Sequence, residues 1–300
     1  ADKLIDYVEA IVGRAPDKFA IATSTTEVEQ QFAKGIISLP LGMENGSPIQ
    51  GDLANLQHFY ERGIRYITLA HSQANHISDS SYDLRRKWKG LSPFGKKLVQ
   101  EMNKVGVLID ISHVSDAAFY QTIEMTQTPV IASHSSLRAF TPDFERNMDD
   151  DMIKALGKNG GVIQINFGST FVTKRANAWS KKRSAGQKAA EEKFGTDSEE
   201  YKNFSDQFAE KNPLPYATLD SVLDHIDHVV KLIGIDHVGI GSDYDGVGDS
   251  LPTDLKDVST YPNLIQGLLN RGYTDRHIVK ILSGNFMRVW KTNEQYAAKH

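Results

Sequence analysis

Six short apolar runs rich in β-branched residues recur along the 300-residue chain, and segments with helical periodicity separate them. This alternation constrains the fold more than any other feature of the sequence. Runs that are apolar on both faces indicate strands of a parallel sheet covered by helices, and the intervening segments have the length of βαβ connections. The six predicted strands lie at residues 36–44, 63–71, 107–113, 129–134, 161–167 and 237–243. The sequence therefore predicts an α/β protein.

Polar side chains stand at the ends of these strands. His113 and His134 end two consecutive runs, and imidazole is both a common metal ligand and a general base near neutral pH. A single histidine after an apolar run is more often a hydrogen-bonded structural residue. Two histidines at adjacent strand ends, however, predict half of a metal site. Glu44, His71 and Asp243 end three further runs, and we expect them at the same edge of the sheet.

The strand ends also distinguish a closed barrel from an open doubly wound sheet. An open sheet would have a glycine-rich phosphate loop after its first strand, and none is present. Side chains from five strands meet at one site only in a closed ring. We therefore predict a single TIM-like (β/α) barrel domain over residues 1–300, with six of its eight strands visible. Residues 172–216 interleave acids and bases, which predicts a solvated helical insertion.

Composition restricts the partners and the chemistry. A net charge of -4 and a pI near 6.2 favour neither nucleic acid nor an anionic membrane as partner. Because cysteine is absent, any transition metal is expected on His, Asp or Glu. No run of about 18 apolar residues exists, so no membrane span is predicted, and the first residues lack signal-peptide features, which indicates a mature or incomplete chain. The compartment stays open, with a periplasmic or secreted location favoured over a cytoplasmic one.

Side-chain periodicity gives two further expectations. Along the strand near residue 110, His113 would share a face with Ile109 and Ile111, whereas Asp110 would point to the other face and would not be a co-ligand. The His-x-Asp sequence that begins at His225 lies on an amphipathic helix. Its two side chains diverge by about 200° and are predicted to lie on a solvated face, away from any metal.

Eight short motifs stand out along the chain: Gly42–Gly46, Leu69–Ser72, Gly90–Gly95, Leu108–Ser115, Ser133–Ser136, Arg146–Asn147, Gly241–Gly246 and Gly284–Val289. In this order they resemble the motifs of the renal (membrane) dipeptidase family, peptidase family M19. The chain resembles that family over most of its length, and the likeness weakens only in the 172–216 insertion.

This resemblance implies a zinc-dependent dipeptidase on a barrel of the metal-dependent hydrolase type. By position, Glu44 would bridge two zinc ions, and His113 and His134 would bind the second of them. The family's first strand, which carries His-x-Asp ligands for the first metal, has no match here, and neither does one further strand. The predicted barrel likewise lacks two of its eight strands. We therefore expect one zinc in this chain, which is either a fragment or a natural short form that has lost half the metal site.

Three other residues take substrate-side roles by the same resemblance. His71 and Asp243 would act in catalysis and contact the substrate, and Arg146 would hold the free carboxylate of a small dipeptide, which suits a guanidinium fork. Two alternatives remain open. The chain is either a non-catalytic barrel that binds peptides or serves as a partner subunit, or another amidohydrolase that acts on a non-peptide amide. Another copy of the chain, or a further N-terminal segment, is the partner expected for an incomplete barrel.

Overall fold

The computed structural model describes all 300 residues and contains fourteen α-helices and eight strands. The helices are α1 Asp2–Arg14, α2 Thr25–Ala33, α3 Leu53–Glu61, α4 Pro93–Val105, α5 Asp116–Met125, α6 Asp150–Asn159, α7 Ser169–Val172, α8 Lys174–Phe194, α9 Glu199–Lys202, α10 Phe204–Lys211, α11 Leu219–Ile233, α12 Tyr261–Asn270, α13 Asp275–Val279 and α14 Asn285–Ala297. The strands are β1 Phe19–Ile21, β2 Ile37–Leu39, β3 Leu41–Glu44, β4 Ile64–Thr68, β5 Leu108–Asp110, β6 Ile131–Ser135, β7 Val162–Ile165 and β8 Val238–Ile240. None of the helices combines the length and hydrophobicity that a membrane crossing requires.

Six strands form one parallel sheet in chain order, from β3 to β8. This order, with helices in the connections, confirms the predicted TIM-like α/β architecture and its six visible strands. The terminal strands β3 and β8 each pair with one neighbour only, so this sheet does not close on itself. Because all six strands run in one direction, their carboxyl ends lie along a common edge, where barrel enzymes place their active sites.

The first predicted strand, residues 36–44, is divided in two at Pro40. Its second half, β3, belongs to the main sheet, whereas its first half, β2, pairs with β1 in a separate two-stranded parallel sheet. Proline has no N–H group to donate to a strand ladder, which explains the break. The three residues of β1 are too few to show a period of two, so this strand cannot be predicted from the sequence pattern.

The main sheet is buried on both faces. Ile109 and Ile163 belong to a core of 42 buried residues shared with the surrounding helices. Leu108 and Val162, which alternate with them along the strands, pack instead against Trp290 of α14. The C-terminal helix thus fills the face opposite the helical layer, and apolar packing on both faces holds the strand ends in place.

Local capping signals set the boundaries of the helices that connect the strands. Helix α4 begins with Ser92 as N-cap and Pro93 at its first position, and it ends at Gly106 with a φ of 87°. Helix α6 is capped by Asp149 and ends at Gly160 with a φ of 83°. Glycine adopts this left-handed conformation without strain, so each chain turns directly into the following strand.

Residues 174–211 form three helices, α8, α9 and α10, in the region predicted as a helical insertion. Only Ala176, Asn177 and Ala190 are buried in them. These helices therefore present most of their charged side chains to solvent.

Candidate active site

A cavity of about 390 Å³ lies at the carboxyl ends of the strands. Its lining consists of Glu44, His71, Ser72, Tyr82, His113, His134, Arg146, Phe171, Asp243 and Gly246. All six site residues expected from the sequence are among them, so the structure brings the predicted set together in one place.

The main sheet delivers five of these residues. Glu44 is the last residue of β3, and His134 lies in β6. His71, His113 and Asp243 come just after β4, β5 and β8. The sixth residue, an arginine, comes from the loop between β6 and α6. Strand order alone thus gathers side chains that are up to about two hundred positions apart in the sequence.

Three possible ligand atoms converge at the floor of the cavity. The Nε2 atoms of His113 and His134 are 2.8 Å apart, and they lie 3.1 Å and 3.0 Å from Oε1 of Glu44. Ligands of a tetrahedral zinc at about 2.1 Å are about 3.4 Å from one another, so the observed cluster is only slightly tighter than a loaded site. His71 Nε2 lies 3.4 Å from the same carboxylate oxygen and is also within range to bind a metal.

The hydrogen bonds of His134 leave its Nε2 atom free for a metal. Ser133 Oγ donates to Asp110 Oδ2 at 2.6 Å, so it accepts from Nδ1 of His134 at 2.7 Å. With its proton on Nδ1, His134 turns the lone pair of Nε2 toward the Glu44 carboxylate. Two acceptors at this distance repel each other unless a proton or a cation lies between them. The donor set therefore fits a divalent cation.

The charge states of the cluster also suit a metal. Burial, reinforced by the charge of Arg146, lowers the pKa of His113 to about 3, so its imidazole is neutral at pH 7. Hydrogen bonding with His113, the largest cause, holds the pKa of the Glu44 carboxyl well below its usual range. Neutral imidazole and ionised carboxylate are the forms that bind metals.

Asp110 ties the strands together beneath the cluster. Its buried carboxylate accepts hydrogen bonds from Thr68 Oγ1 at 2.5 Å, Ser133 Oγ at 2.6 Å and the Ser112 amide at 3.0 Å, which agrees with the expectation that it is not a co-ligand. The alternation argument for His113, however, is wrong. Strand β5 ends at Asp110, and His113 has a φ of 70°, so a period of two does not extend to it.

Arg146 lines the cavity beside Glu44, His113 and His134 and is 3% exposed. Its Nη1 donates to Ser135 Oγ and its Nη2 to the His134 carbonyl, both at 2.7 Å, which fixes the guanidinium plane. The buried Nε has no hydrogen-bond partner. A buried cation without a carboxylate partner is costly, so the Arg146 guanidinium beside the cavity is suited to an anionic ligand.

Asp243 is held in place by its neighbours. Asn166 Nδ2 donates to Asp243 Oδ2 at 2.7 Å, and the Gly168 amide donates to Asn166 Oδ1 at 2.7 Å, which fixes the orientation of the amide. A Cβ atom at Gly246 would lie 2.1 Å from Asp243 Oδ1, so only glycine fits there. Burial raises the pKa of Asp243 above its ordinary value. A carboxyl with a raised pKa is suited to proton transfer near neutral pH.

The His225–Asp227 pair lies outside this cavity, as expected, but the predicted solvated face is wrong for the histidine. His225 is fully buried, where Nδ1 accepts from the Leu137 amide at 3.1 Å and Nε2 donates to the Val172 carbonyl at 3.0 Å. Asp227 is partly exposed and pairs with Arg271 at 2.6 Å. The loop of Leu137 and the end of helix α7 pack on α11 and bury a position that the helix alone would leave near solvent.

Three residues of the site escaped the sequence analysis: Asn166, Tyr82 and Phe171. Asn166 carried a usable signal, because it is the first polar residue after β7 and follows the same strand-end rule as the predicted residues. Tyr82 lies on a loop and Phe171 on the short helix α7, and no local pattern in the sequence marks either residue.

The family model described as membrane dipeptidase, peptidase family M19, matches residues 2–300. The chain belongs to the membrane dipeptidase family. The resemblance drawn from the eight motifs is thereby confirmed. Among curated members of the membrane dipeptidase family, Dipeptidase 3 of Mus musculus is 34% identical over 263 residues, which cover 86% of this chain and 45% of that protein. Dipeptidase aclJ of Aspergillus oryzae is 35% identical, covering 95% of this chain and 59% of that protein.

Solved structures show the same fold. The probable dipeptidase PvdM from Pseudomonas aeruginosa superposes with a TM-score of 0.86 at 29% identity, covering 98% of this chain and 78% of that one. A metallo peptidase from Rhodobacter sphaeroides, liganded with a phosphinate mimic of the dipeptide L-Ala-D-Ala, gives a TM-score of 0.77 at 23% identity, covering 96% of this chain and 72% of that one, and supports the fold alone. This member of the membrane dipeptidase family spans between 45% and 61% of the length of four curated relatives.

Proposed function

We propose that this chain hydrolyses small dipeptides with the aid of one bound zinc ion. Membership in a metallopeptidase family implies a metal, and the fit of Glu44, His113 and His134 to a divalent cation supports its position. The observation that carries the proposal is the convergence of this cluster with Arg146 and Asp243 in one cavity of about 390 Å³. A cavity of this size holds a ligand no larger than a small molecule.

In the proposed complex, the Arg146 guanidinium binds the carboxylate of the C-terminal residue. His71 lies beside Glu44 and His113, and it hydrogen-bonds the oxygen of the scissile carbonyl through Nε2. Its Nδ1 is 2.8 Å from Ser72 Oγ, a contact that orients the ring. The free carboxylate and the scissile bond of a dipeptide are thus bound at separate points, which aligns the substrate.

Asp243 carries the proton in this scheme. When bound, the metal supplies Lewis-acid polarisation of the scissile carbonyl and makes water a stronger nucleophile. Asp243 Oδ1 accepts a proton from the attacking water and delivers it to the nitrogen of the leaving amine. Asn166 keeps Oδ2 occupied, so a single oxygen of Asp243 takes part.

The metal proposal predicts one tightly held zinc per chain. Three ligands with an open position suffice for one ion, whereas a second would share only Glu44. Metal analysis after zinc loading and dialysis should give about one equivalent for the wild type and clearly less for His134→Ala, in which Glu44, His71 and His113 are the donors that remain. An exposed histidine at the C-terminus provides the control, His300→Ala, which should retain the metal. Two tight equivalents that both survive in His134→Ala would refute the assignment.

The catalytic proposal is tested by the release of amino acids from Gly-Leu by the zinc-loaded protein. Arg146→Gln should raise KM by about tenfold or more, because a charge-assisted bidentate bond to the carboxylate is lost. Binding of Gly-Leu without release of its amino acids would instead identify a non-catalytic peptide-binding barrel.

A further inference from the structure

The hydrophobic residues of the cavity are two aromatic side chains. Of its ten lining residues, only Tyr82 and Phe171 are hydrophobic, and the others are charged, imidazole, hydroxyl or glycine residues. These two rings are therefore the surface against which an apolar side chain of a bound ligand can leave water most favourably.

The two rings belong to a larger aromatic wall formed by Tyr82, Phe144 and Phe171. Phe144 stands between the other two, with ring centroids 6.2 Å from Tyr82 and 5.6 Å from Phe171, both in edge-to-face contact. The Arg146 guanidinium lies 5.4 Å from the centroid of the Phe171 ring. The aromatic wall thus adjoins the group that, under the proposed function, binds the substrate carboxylate.

The aromatic wall is braced before any substrate arrives. Arg86 donates to the Ser80 carbonyl and forms an ion pair with Glu145, which directly precedes Arg146. This ion pair joins the loop of Tyr82 to the loop of Arg146. A preformed apolar surface contributes more to binding than one that must be ordered by the ligand.

We infer that the site selects dipeptides whose C-terminal residue has an apolar or aromatic side chain. The inference rests on the proposed function, since it takes the substrate carboxylate to be bound by Arg146. The Cα atom of that residue is one bond from the carboxylate, so its side chain lies against Phe171 and Tyr82. The N-terminal residue then faces Asp243, His71 and the metal ligands, where its ammonium group meets polar partners.

The same geometry disfavours charged C-terminal side chains. An acidic side chain would compete with the α-carboxylate for Arg146 and would face the negative surface of the rings. A basic side chain would lie close to the Arg146 charge in a partly buried space. Tyr82 is 44% exposed, so the wall is open at its outer end and accepts a side chain as large as that of phenylalanine.

The test compares kcat/KM for Gly-Phe, Gly-Asp and Gly-Gly. The wild type should prefer Gly-Phe, and Phe171→Ala should lower the ratio of Gly-Phe to Gly-Gly by about tenfold, as expected for a lost apolar contact. Tyr82→Phe keeps the ring and should keep the ratio, whereas Tyr82→Ala should lower it. Phe194→Ala removes an exposed ring on α8, away from the cavity, and should leave the ratio at the wild-type value. An equal loss on Gly-Phe and Gly-Gly in Phe171→Ala would overturn the inference.

Calorimetry with reduced-amide analogues of Gly-Phe and Gly-Gly on the zinc-loaded protein makes the test independent of turnover. Tighter binding of the Gly-Phe analogue that depends on Phe171 supports the inference even if no dipeptide is hydrolysed, in which case only the catalytic proposal fails. Equal affinity for the two analogues, or no binding of either, would overturn the inference whatever the rate of hydrolysis.

Discussion

Two of the site residues, His113 and Asp243, are among the seven non-glycine residues of the chain with a positive φ. Their φ angles are 70° and 57°, in the left-handed region, where a non-glycine residue costs about 1 to 2 kcal/mol. Each lies just beyond the end of a strand, and each side chain lines the cavity. Strain of this kind persists only where the surrounding contacts over-determine it, as the bond from Asn166 does for Asp243.

At this scale we predict that Asp243, and not Asp245, carries the proton in catalysis. Asp243→Asn should lower kcat by about two orders of magnitude, the usual contribution of general acid–base catalysis. Asp245 is exposed and does not line the cavity, so Asp245→Asn serves as the matched control and should stay near the wild-type rate. A dead Asp245→Asn beside an active Asp243→Asn would reverse the assignment.

The dependence of the rate on pH gives a further test of the role of Asp243. Burial raises the pKa of Asp243, and the hydrogen bond from Asn166 opposes that rise. As a base, Asp243 must be ionised, so the rate falls as pH drops through this raised pKa. Asn166→Ala removes the opposing bond and should move the acidic limb to higher pH. An unmoved limb would show that Asn166 does not act through this carboxyl.

At the scale of elements, helix α11 illustrates how packing changes the state of a residue. His225 is enclosed by the segments of Leu137 and Val172, and both of its ring nitrogens have backbone partners. Burial lowers the pKa of His225 to about 4, compared with about 6.5 in an unfolded chain. The folded state therefore keeps this imidazole neutral under conditions in which the unfolded state protonates it.

This shift predicts a loss of stability in acid. Between pH 6.5 and about pH 4 the unfolded chain binds more protons than the folded chain at His225, so stability falls as pH falls through that window. The contribution is about 2 kcal/mol between pH 7 and pH 5. Urea unfolding at the two pH values should show a smaller loss for His225→Gln than for the wild type. His300→Gln, at an exposed position, should keep the wild-type difference, and an unchanged difference in His225→Gln would contradict the prediction.

At the scale of the whole molecule, the open sheet is the main feature. Strands β3 and β8 lack a neighbour on one side. Two backbone carbonyls of β8 accept hydrogen bonds from side-chain amides. The Val238 carbonyl accepts from Asn285 Nδ2 at 2.8 Å, and the Ile240 carbonyl accepts from Gln164 Nε2 at 3.1 Å. No strand pairs with the free side of β3.

We predict that these edges make the purified chain self-associate, because unpaired strands are templates for pairing. Sedimentation velocity over a hundredfold range of concentration should show species larger than the monomer at the upper end. A single monomeric species at every concentration, with a sharp cooperative melt, would contradict this expectation.

The sequence by itself determined the order of strands and the identity of the residues at their ends. Both follow from local patterns: an apolar run predicts a buried strand, and the first polar residues after it lie at the sheet edge. Glu44, His71, His113, His134 and Asp243 were found in this way. Their roles, and that of Arg146, came from the family resemblance and remain predictions.

Tertiary structure alone decided what depends on contacts between distant segments. His225 is buried because segments dozens of residues away pack over α11, which no helical period can show. The turn of His113 into the cavity depends on a left-handed backbone beyond the end of β5, where alternation no longer applies. Tyr82 reaches the site from a loop and Phe171 from the short helix α7. Local patterns predict the spacing of side chains along one strand or helix. Burial, backbone strain and loop placement depend on contacts between distant parts of the chain.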